Sequence, residues 1–191
     1  MLTHENVIAD ASAILLHQGE NKPNSTDVMI SFLPLAHMLE RISHLVLYIG
    51  GGAIGFYGGD VRNLMDDMMA LKPTITPAVP RIFNRIYDKV QSGLKHSALK
   101  RFLFNAALSS KENDLRRGIM GKNTIWDKLV LKKVQEAMGG RIRLIVVGSA
   151  PLAGAVMTFM RSALGCVIFE CYGLTECAAP ATLTVNVRNY K

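Results

Sequence analysis

The chain has little cysteine and no apolar run long enough to cross a membrane. Its three cysteines, Cys166, Cys171 and Cys177, fit neither a CxxC metal site nor a disulfide-stapled secreted domain. The most apolar stretch, 42–57, is shorter than the ~20 residues that a spanning helix needs. The first ten residues lack a basic segment followed by an apolar one, so we expect no signal peptide. The cysteine content predicts a reducing, cytosol-facing setting, and the first ten residues do not indicate secretion.

Repeats and low-complexity linkers are also missing, and the composition is that of a globular protein. Apolar residues make up 49% and charged residues 19% of the 191 residues, which suffice to bury a core. Short apolar runs alternate with segments of helical period, as in successive βα units. We therefore predict an α/β fold in one domain portion. Strands are predicted at 53–57, 74–79, 142–147 and 167–171, and helices at 5–16, 38–48, 61–69 and 153–163. Residues 28–33 fit a strand or the entry to a helix, and 181–187 would form a further strand.

The strongest functional signal is the string YGLTE, which follows the apolar run 166–169. We expect Gly173 to let the backbone turn just beyond the strand. Thr175 has a hydroxyl suited to a phosphate oxygen, and Glu176 has a carboxylate suited to Mg²⁺. The same residues would equally suit a helix N-cap with an acid in the first turn.

A second loop of small residues, Gly148, Ser149, Ala150 and Pro151, follows the strand that ends at Val147. In open α/β sheets ligands bind outside the carboxyl ends of the strands, so the two loops would wall one nucleotide pocket. Small side chains would let a flat adenine lie against the backbone. The alternative is a tight strand-to-helix turn with Pro151 at the first helical position.

Together these loops resemble the AMP-binding motifs of the adenylate-forming superfamily. Further stretches are similar to its long-chain acyl-CoA synthetase subgroup. They are the TH at Thr3 and His4, LPLAHMLER at 33–41, IGFYGGD at 54–60, KPTITPAVPR at 72–81 and WDK at 126–128. The resemblance extends from Thr3 to about Thr184. It implies part of the large N-terminal domain of that fold, with mixed and parallel sheets flanked by helices.

The resemblance also implies an activity, that of a long-chain fatty-acid–CoA ligase. Such an enzyme uses ATP and Mg²⁺ to join a fatty acid to AMP, and coenzyme A then displaces the AMP. Glu176 would hold Mg²⁺ and Thr175 the α-phosphate. The nucleotide would be bound by the YGL residues Tyr172, Gly173 and Leu174 together with the loop Gly148, Ser149, Ala150 and Pro151.

Two further residues are substrate-proximal candidates. His37 lies in the LPLAH segment, where it would face the acyl group and coenzyme A or would simply shape the start of a helix. Arg81 follows Pro80 and would pair with a carboxylate or phosphate, or clamp two loops. The methionines would fill irregular core volume or line a fatty-acyl tunnel; they include Met65, Met68, Met69, Met157 and Met160.

Several parts of the superfamily pattern are not among the 191 residues. They are the Gly-rich phosphate loop, the ribose-binding Asp, the hinge and the C-terminal domain with its adenylation Lys. We therefore expect a partial AMP-binding domain that is inactive by itself. The competing class is a truncated, non-catalytic module that acts at a membrane surface or in protein interactions.

Positive charge is concentrated in one segment. Residues 81–143 contain fifteen Lys and Arg against five Asp and Glu, within a net charge of +7 for the whole chain. Two runs there have the helical spacing of amphipathic helices. The first contains Leu99, Phe102, Leu103 and Ala106 beside Lys100 and Arg101, and the second contains Trp126, Leu129, Val130, Lys133, Val134 and Ala137. The segment resembles a basic helical insertion at about 82–140.

Three interpretations of the basic segment stand: a solvated helical face, a surface that meets anionic lipid, or nucleic-acid binding. No stacking platform or zinc spacing accompanies the charge, so we expect no nucleic-acid partner. The resemblance implies that the full-length protein associates with the cytosolic face of intracellular membranes. The endoplasmic reticulum, the mitochondrial outer membrane and the peroxisome are the candidates.

Overall fold

A computed structural model describes residues 1–184 of the chain. The helices are α1 (His4–Gln18), α2 (Met38–Ile49), α3 (Leu64–Leu71), α4 (Pro80–Leu94), α5 (Ala98–Arg116), α6 (Lys132–Ala137) and α7 (Gly154–Leu164). The strands are β1 (Val28–Ser31), β2 (Ala53–Phe56), β3 (Ile75–Ala78), β4 (Leu144–Val147), β5 (Val167–Leu174) and β6 (Ala179–Leu183). A π-helical segment, Asp127–Leu131, precedes α6.

The six strands form a mostly parallel sheet in the order β2-β1-β3-β4-β5-β6. Neighbours from β2 to β5 are parallel, and only β6 at the edge is antiparallel. Parallel strands need long crossovers, and the helices supply them. The predicted α/β class is confirmed.

Alternation along the strands divides the core into two faces. Ile30, Ile145 and Ile168 point toward the layer of α3 to α7, whereas their neighbours Met29 and Leu144 point toward α1 and α2. Because the sheet is covered on both faces, its central strands are apolar on both sides. Among the methionines singled out in the sequence, Met68 and Met160 are fully buried core residues, Met65 and Met157 are half-buried, and Met69 is exposed.

The predicted helices and strands are present, with ends that shift by up to three residues. Strand β1 ends two residues before its predicted end, and β4 begins two residues after its predicted start. Strand β5 runs on to Leu174, three residues past its predicted end. Strand β6 begins at Ala179, two residues before the prediction, and the predicted residues 185–187 lie outside the described part of the chain. The predicted helix at 61–69 is a short 3₁₀ turn followed by α3.

The basic segment is helical, as predicted, but one of its apolar stripes faces outward. Helix α5 buries Phe104 and Ala107, together with the cation of Lys111. In the stripe that helical spacing marked, Leu99, Phe102 and Leu103 are exposed and Ala106 is half-buried. Helical spacing marks both stripes equally, so only the packing shows which of them meets the core.

A buried ion pair holds the basic helices together. Lys111 Nζ donates to Asp127 Oδ2 at 2.9 Å, and both side chains are almost completely buried. Asp127 also accepts from Thr124 and from Gln135, and Gln135 donates to the carbonyl of Ala163 in α7. Burial alone would raise the pKa of Asp127, but the hydrogen bonds from Thr124 and Lys111 hold it below its usual value.

Candidate functional site

Three loops meet at the carboxyl ends of β1, β4 and β5 and enclose an open cleft of about 600 Å³. This volume falls in the range of about 300–1,000 Å³ that is usual for small-molecule sites. The cleft lies where open α/β sheets bind their ligands. Its lining includes Pro34, Ala36, His37, Met38, Leu39, Gly148, Ser149, Cys171, Gly173, Leu174, Thr175, Glu176, Ala179 and Pro180.

His37 connects the first of these loops to the second. Its Nδ1 accepts the backbone N–H of Leu39 at 3.2 Å and so caps the start of α2. A neutral ring that accepts at Nδ1 carries its proton on Nε2. Nε2 lies 2.9 Å from Ser149 Oγ, so His37 donates to that hydroxyl across 112 residues of sequence.

The loop after β4 has a backbone that few residues adopt. Ser149 has a φ of 76°, in the left-handed region, and such strain is often stored at functional sites. Gly148 has no room for a side chain, because a Cβ there would lie 2.8 Å from Cys171 Sγ. The alternative with Pro151 at the first helical position is wrong, since α7 begins at Gly154 after an N-cap at Ala153.

The YGLTE residues form the end of β5 and the turn that follows it in a β-hairpin. The predicted backbone turn at Gly173 and the alternative, a helix N-cap, are both wrong. Gly173 lies within β5, where a Cβ would come 1.5 Å from the carbonyl oxygen of Ala179. The glycine therefore permits a close approach of β6 and does not form a turn. Thr175 begins the 3₁₀ turn Thr175–Cys177, so it does not cap an α-helix. Thr175 and Glu176 are exposed at the cleft.

Four of the predicted residues do not line the cleft. Tyr172 is 65% exposed, and strand alternation directs it to the face of β5 opposite Cys171 and Gly173. Ala150 and Pro151 are exposed beyond the turn at Ser149. Arg81 is exposed on the first turn of α4, outside the cleft.

Sequence reasoning missed Cys171 as a lining residue. Alternation along β5 predicts it, because Cys171 shares a face with Gly173. Burial raises the pKa of the Cys171 thiol to about 11, with smaller contributions from the carboxylates of Glu170 and Asp10. The thiol is therefore protonated at neutral pH and is a small apolar wall of the cleft.

Buried polar contacts fix α2 behind the cleft. His44 Nε2 lies 3.0 Å from Ser31 Oγ at the end of β1 and 3.2 Å from Glu40 Oε1. Glu40 is completely buried. On the exposed side, Arg41 Nε donates to the carbonyl of Leu35 at 2.6 Å. These contacts hold the loop that presents His37.

The cleft contains little fixed charge. Its lining in the described part of the chain includes Glu176 but no Lys or Arg. Within residues 1–184 no group of three or more His, Cys, Asp or Glu side chains is placed to hold a metal ion by itself. A single exposed carboxylate fits Mg²⁺ that arrives with phosphate, because this ion keeps several waters and uses one or two carboxylates.

A larger cleft of about 990 Å³ lies at the opposite end of the sheet, where β4 and β5 begin. Its lining includes Lys122, Arg143 and Arg161, and none of the predicted site residues. Lys122 donates to the carbonyls of Gly140 and Ile142, and Arg143 is paired with Asp27. The smaller cleft is the candidate site because it lies at the carboxyl ends of the strands.

The profile of the family described as AMP-binding enzyme matches residues 1–191, the whole chain. This chain belongs to the AMP-binding enzyme family. It is 50% identical over 185 residues to long-chain-fatty-acid–CoA ligase 5 of Rattus norvegicus, covering 96% of this chain and 27% of that protein. Long-chain-fatty-acid–CoA ligase 1 of Homo sapiens is 47% identical over 186 residues, covering 97% and 26%. The chain thus spans about a quarter of the length of these relatives.

Solved structures show the same fold. The A domain of a carboxylic acid reductase from Segniliparus rugosus, in complex with AMP and a co-purified carboxylic acid, gives a TM-score of 0.64 at 24% identity. That match covers 96% of this chain and 26% of the other. A long-chain-fatty-acid–CoA ligase from Archaeoglobus fulgidus gives 0.58 at 17% identity, covering 98% and 31%. The chain therefore has the fold of part of an adenylate-forming N-terminal domain.

Proposed function

We propose that this chain is part of a long-chain fatty-acid–CoA ligase and supplies its nucleotide site. The observation that carries the proposal is the joining of His37, Ser149 and the Thr175–Glu176 turn around one cleft. The half-identical relatives are named as ligases of this kind, and the first solved neighbour holds AMP and a carboxylic acid. Both support ATP and a fatty acid as substrates.

The proposed reaction has two steps. A carboxylate oxygen of the fatty acid attacks the α-phosphorus of ATP, and the bond to pyrophosphate breaks. The thiol of coenzyme A then attacks the acyl carbon, and AMP leaves. Side chains of the chain form no covalent bond in either step, so their task is to position groups and to stabilise charge.

Different residues of the cleft position the substrates and stabilise the charge. The Thr175 hydroxyl donates to an α-phosphate oxygen, and the backbone of Gly148 and Ser149 lies against the adenine. Glu176 would hold Mg²⁺, which when bound neutralises phosphate charge. The absence of Lys and Arg from the described lining leaves that neutralisation to the metal and to groups outside residues 1–184. His37 keeps Ser149 in its strained conformation at the mouth of the cleft.

The remaining predictions belong to the whole protein. We propose that residues 82–140 are a helical insertion within a partial AMP-binding domain, and that these 191 residues do not turn over substrate by themselves. We also propose that the whole enzyme works at the cytosolic face of intracellular membranes. Formation of acyl-CoA from oleate, ATP and coenzyme A by the purified 191-residue chain would refute the second of these statements.

The decisive variant is Glu176→Gln in the whole enzyme. It removes the carboxylate charge and retains the shape, so ATP–pyrophosphate exchange with oleate should fall about 10²- to 10³-fold. Fatty-acid binding should change little, because Glu176 does not contact the acyl chain in this scheme. Glu136→Gln, an exposed change on α6, is the matched control. Exchange that is equally fast in both variants would eliminate the assignment of Glu176.

A further inference from the structure

The loop between β4 and α7, residues 148–153, depends on other segments for its conformation. Among residues 1–184, the stretch 149–152 makes two hydrogen bonds to other parts of the chain. One joins Ser149 Oγ to His37 Nε2. In the other, the backbone N–H of Leu152 donates to Glu170 Oε1 at 3.0 Å. The β4–α7 loop, which walls the nucleotide cleft, is therefore held at its start by His37 and at its end by Glu170.

Sheet register places Glu170 beside this loop, on the side away from the cleft. Glu170 pairs with Val147, the last residue of β4, in the parallel ladder. Strand alternation puts its side chain on the same face of β5 as Ile168, which packs in the layer of α3 to α7. Cys171, on the opposite face, lines the cleft. Glu170 thus holds the loop from the α7 side, whereas His37 holds it from the cleft side.

Helix α7 has no cap of its own. Its N-cap residue is Ala153, which makes no side-chain hydrogen bond, and its first turn contains no acidic residue. Leu152 directly precedes this N-cap, so the Glu170 carboxylate lies beside the N-terminal end of α7, where the helix dipole favours negative charge. The contact from Glu170 therefore fixes the chain at a helix start that is otherwise uncapped.

The backbone of Glu170 connects the same residue to the β5–β6 hairpin. Its N–H donates to Thr184 Oγ1 at 2.9 Å, and its carbonyl accepts the N–H of Thr184 at 2.9 Å. Strand β5 continues from Glu170 to Leu174, and the Thr175–Cys177 turn follows directly. Glu170 therefore links the β4–α7 loop to the strand that carries Thr175 and Glu176 into the cleft.

We propose that Glu170 is a positioning residue for the nucleotide. In this inference, which rests on the proposed function, Glu170 and His37 together keep Gly148 and Ser149 where their backbone meets the adenine. Glu170 does not line the cleft, so it acts through the loop and not by touching the substrate. A carboxylate that accepts a backbone N–H makes a stronger bond than a neutral acceptor does. Such a bond suits a loop that holds Ser149 at a left-handed φ of 76°.

Glu170→Ala in the whole enzyme tests this role by AMP titration. Loss of a hydrogen bond to a charged group should weaken AMP binding about tenfold. Glu170→Gln retains an oxygen acceptor at the same place, so AMP affinity should stay within about twofold of the wild type. Normal AMP affinity in Glu170→Ala would overturn the proposal, and so would a loss in Glu170→Gln as large as that in Glu170→Ala.

Asp67→Ala is the matched control. The Asp67 carboxylate, half-buried like that of Glu170, accepts the backbone N–H of Gly58 at 2.9 Å, and neither residue lines the cleft. The variant loses the same kind of contact at another loop, and AMP affinity should be unchanged. An equal loss of AMP affinity in Asp67→Ala would mean that general destabilisation, and not the β4–α7 loop, weakens binding.

ATP–pyrophosphate exchange with oleate separates positioning from loss of folded enzyme. Glu170→Ala should raise KM for ATP about tenfold and leave kcat nearly unchanged, because the loop binds the adenine equally before and during the reaction. A fall in kcat at an unchanged KM would indicate fewer folded molecules and would count against the proposal. A wild-type enzyme that binds neither ATP nor AMP would refute the proposed function and this inference with it.

Hydrogen exchange in the whole enzyme without nucleotide measures the loop directly. In Glu170→Ala the amides of 149–153 should exchange about tenfold faster than in the wild type, whereas those of 58–63 should be unchanged. Asp67→Ala should show the reverse. Unchanged exchange of 149–153 in Glu170→Ala would overturn the role of Glu170 even if the enzyme proves to be a ligase.

Discussion

At the scale of single residues, the cleft depends on His37 and Ser149. The histidine performs two tasks with its two ring nitrogens, capping α2 through Nδ1 and donating to Ser149 through Nε2. These contacts give His37 an architectural role, and its proximity to the acyl group and coenzyme A stays a prediction. Ser149 in turn holds a left-handed backbone that glycine would adopt more easily.

Variants of His37 should separate these two tasks. His37→Ala removes both, and we expect it to lower the free energy of unfolding by about 1 kcal/mol, the usual value of an N-cap. His37→Asn keeps a capping side chain that is too short to hold Ser149, so its stability should remain near that of the wild type. AMP binding should weaken about fivefold in both, since each loses one hydrogen bond of the loop. Thermal unfolding and AMP titration provide the two readouts, and normal AMP affinity in His37→Asn would show that the Ser149 contact has no role in binding.

At the scale of elements, the β5–β6 hairpin and helix α5 each have a feature that the local sequence pattern does not predict. The apolar run 166–169 predicts the start of β5. The continuation of the strand through Gly173 depends on how closely β6 approaches. In α5 the helical period was predicted correctly, but the helix carries two apolar stripes and the period does not show which of them meets the core. The sequence pattern also does not show that Lys111 is buried.

Replacement of Lys111 should be among the most destabilising changes in the basic helices. Lys111→Met leaves the buried Asp127 carboxylate without its cation, and we expect a loss of about 3–5 kcal/mol in the free energy of unfolding. Lys132→Met, at an exposed pair with Glu136, is the control and should cost less than about 1 kcal/mol. Urea unfolding measures both. Similar costs for the two would mean that the buried pair contributes no more than a surface pair.

At the scale of the whole molecule, Arg143 and Asp27 tie the N-terminal segment to the sheet. Arg143 Nε donates to Asp27 Oδ1 at 2.8 Å, and the guanidinium also reaches the carbonyls of Asn21 and Lys22. Thr74 adds a bond to Asp27 at 2.7 Å. Burial alone would raise the pKa of Asp27, but Arg143 and Thr74 hold it below the usual value.

These carboxyl groups predict how stability depends on pH. The lowered pKa values of Asp27 and Asp127 stabilise the fold above pH ~4, and this contribution is lost as the pH falls. Asp10 acts in the opposite direction, because burial raises its pKa from 3.8 to about 6. The folded state then binds its proton more tightly, so stability falls as the pH rises from 4 to 6. We expect a maximum at roughly pH 4–5, measured by urea unfolding across pH.

The variant Asp10→Asn tests the loss of stability on the high-pH side of that maximum. The amide cannot ionise, so the decline between about pH 4 and 6 should disappear, and the variant should be more stable than the wild type at pH 7 by about 1 kcal/mol after allowance for solvent screening. The acid side, which depends on Asp27 and Asp127, should be unchanged. If Asp10→Asn keeps the wild-type decline, another group causes it.

The α/β class, the order of strands and helices and two of the three segments at the cleft, 148–151 and 172–176, were predictable from the sequence. Those features follow from hydrophobic period and small-residue turns, which are local. Long-range packing decided how the cleft is closed, through the approach of β6 to Gly173 and the contact between His37 and Ser149. It also decided that Leu99 and Phe102 face outward. Packing between segments far apart in the chain chooses among faces that the local pattern leaves equivalent.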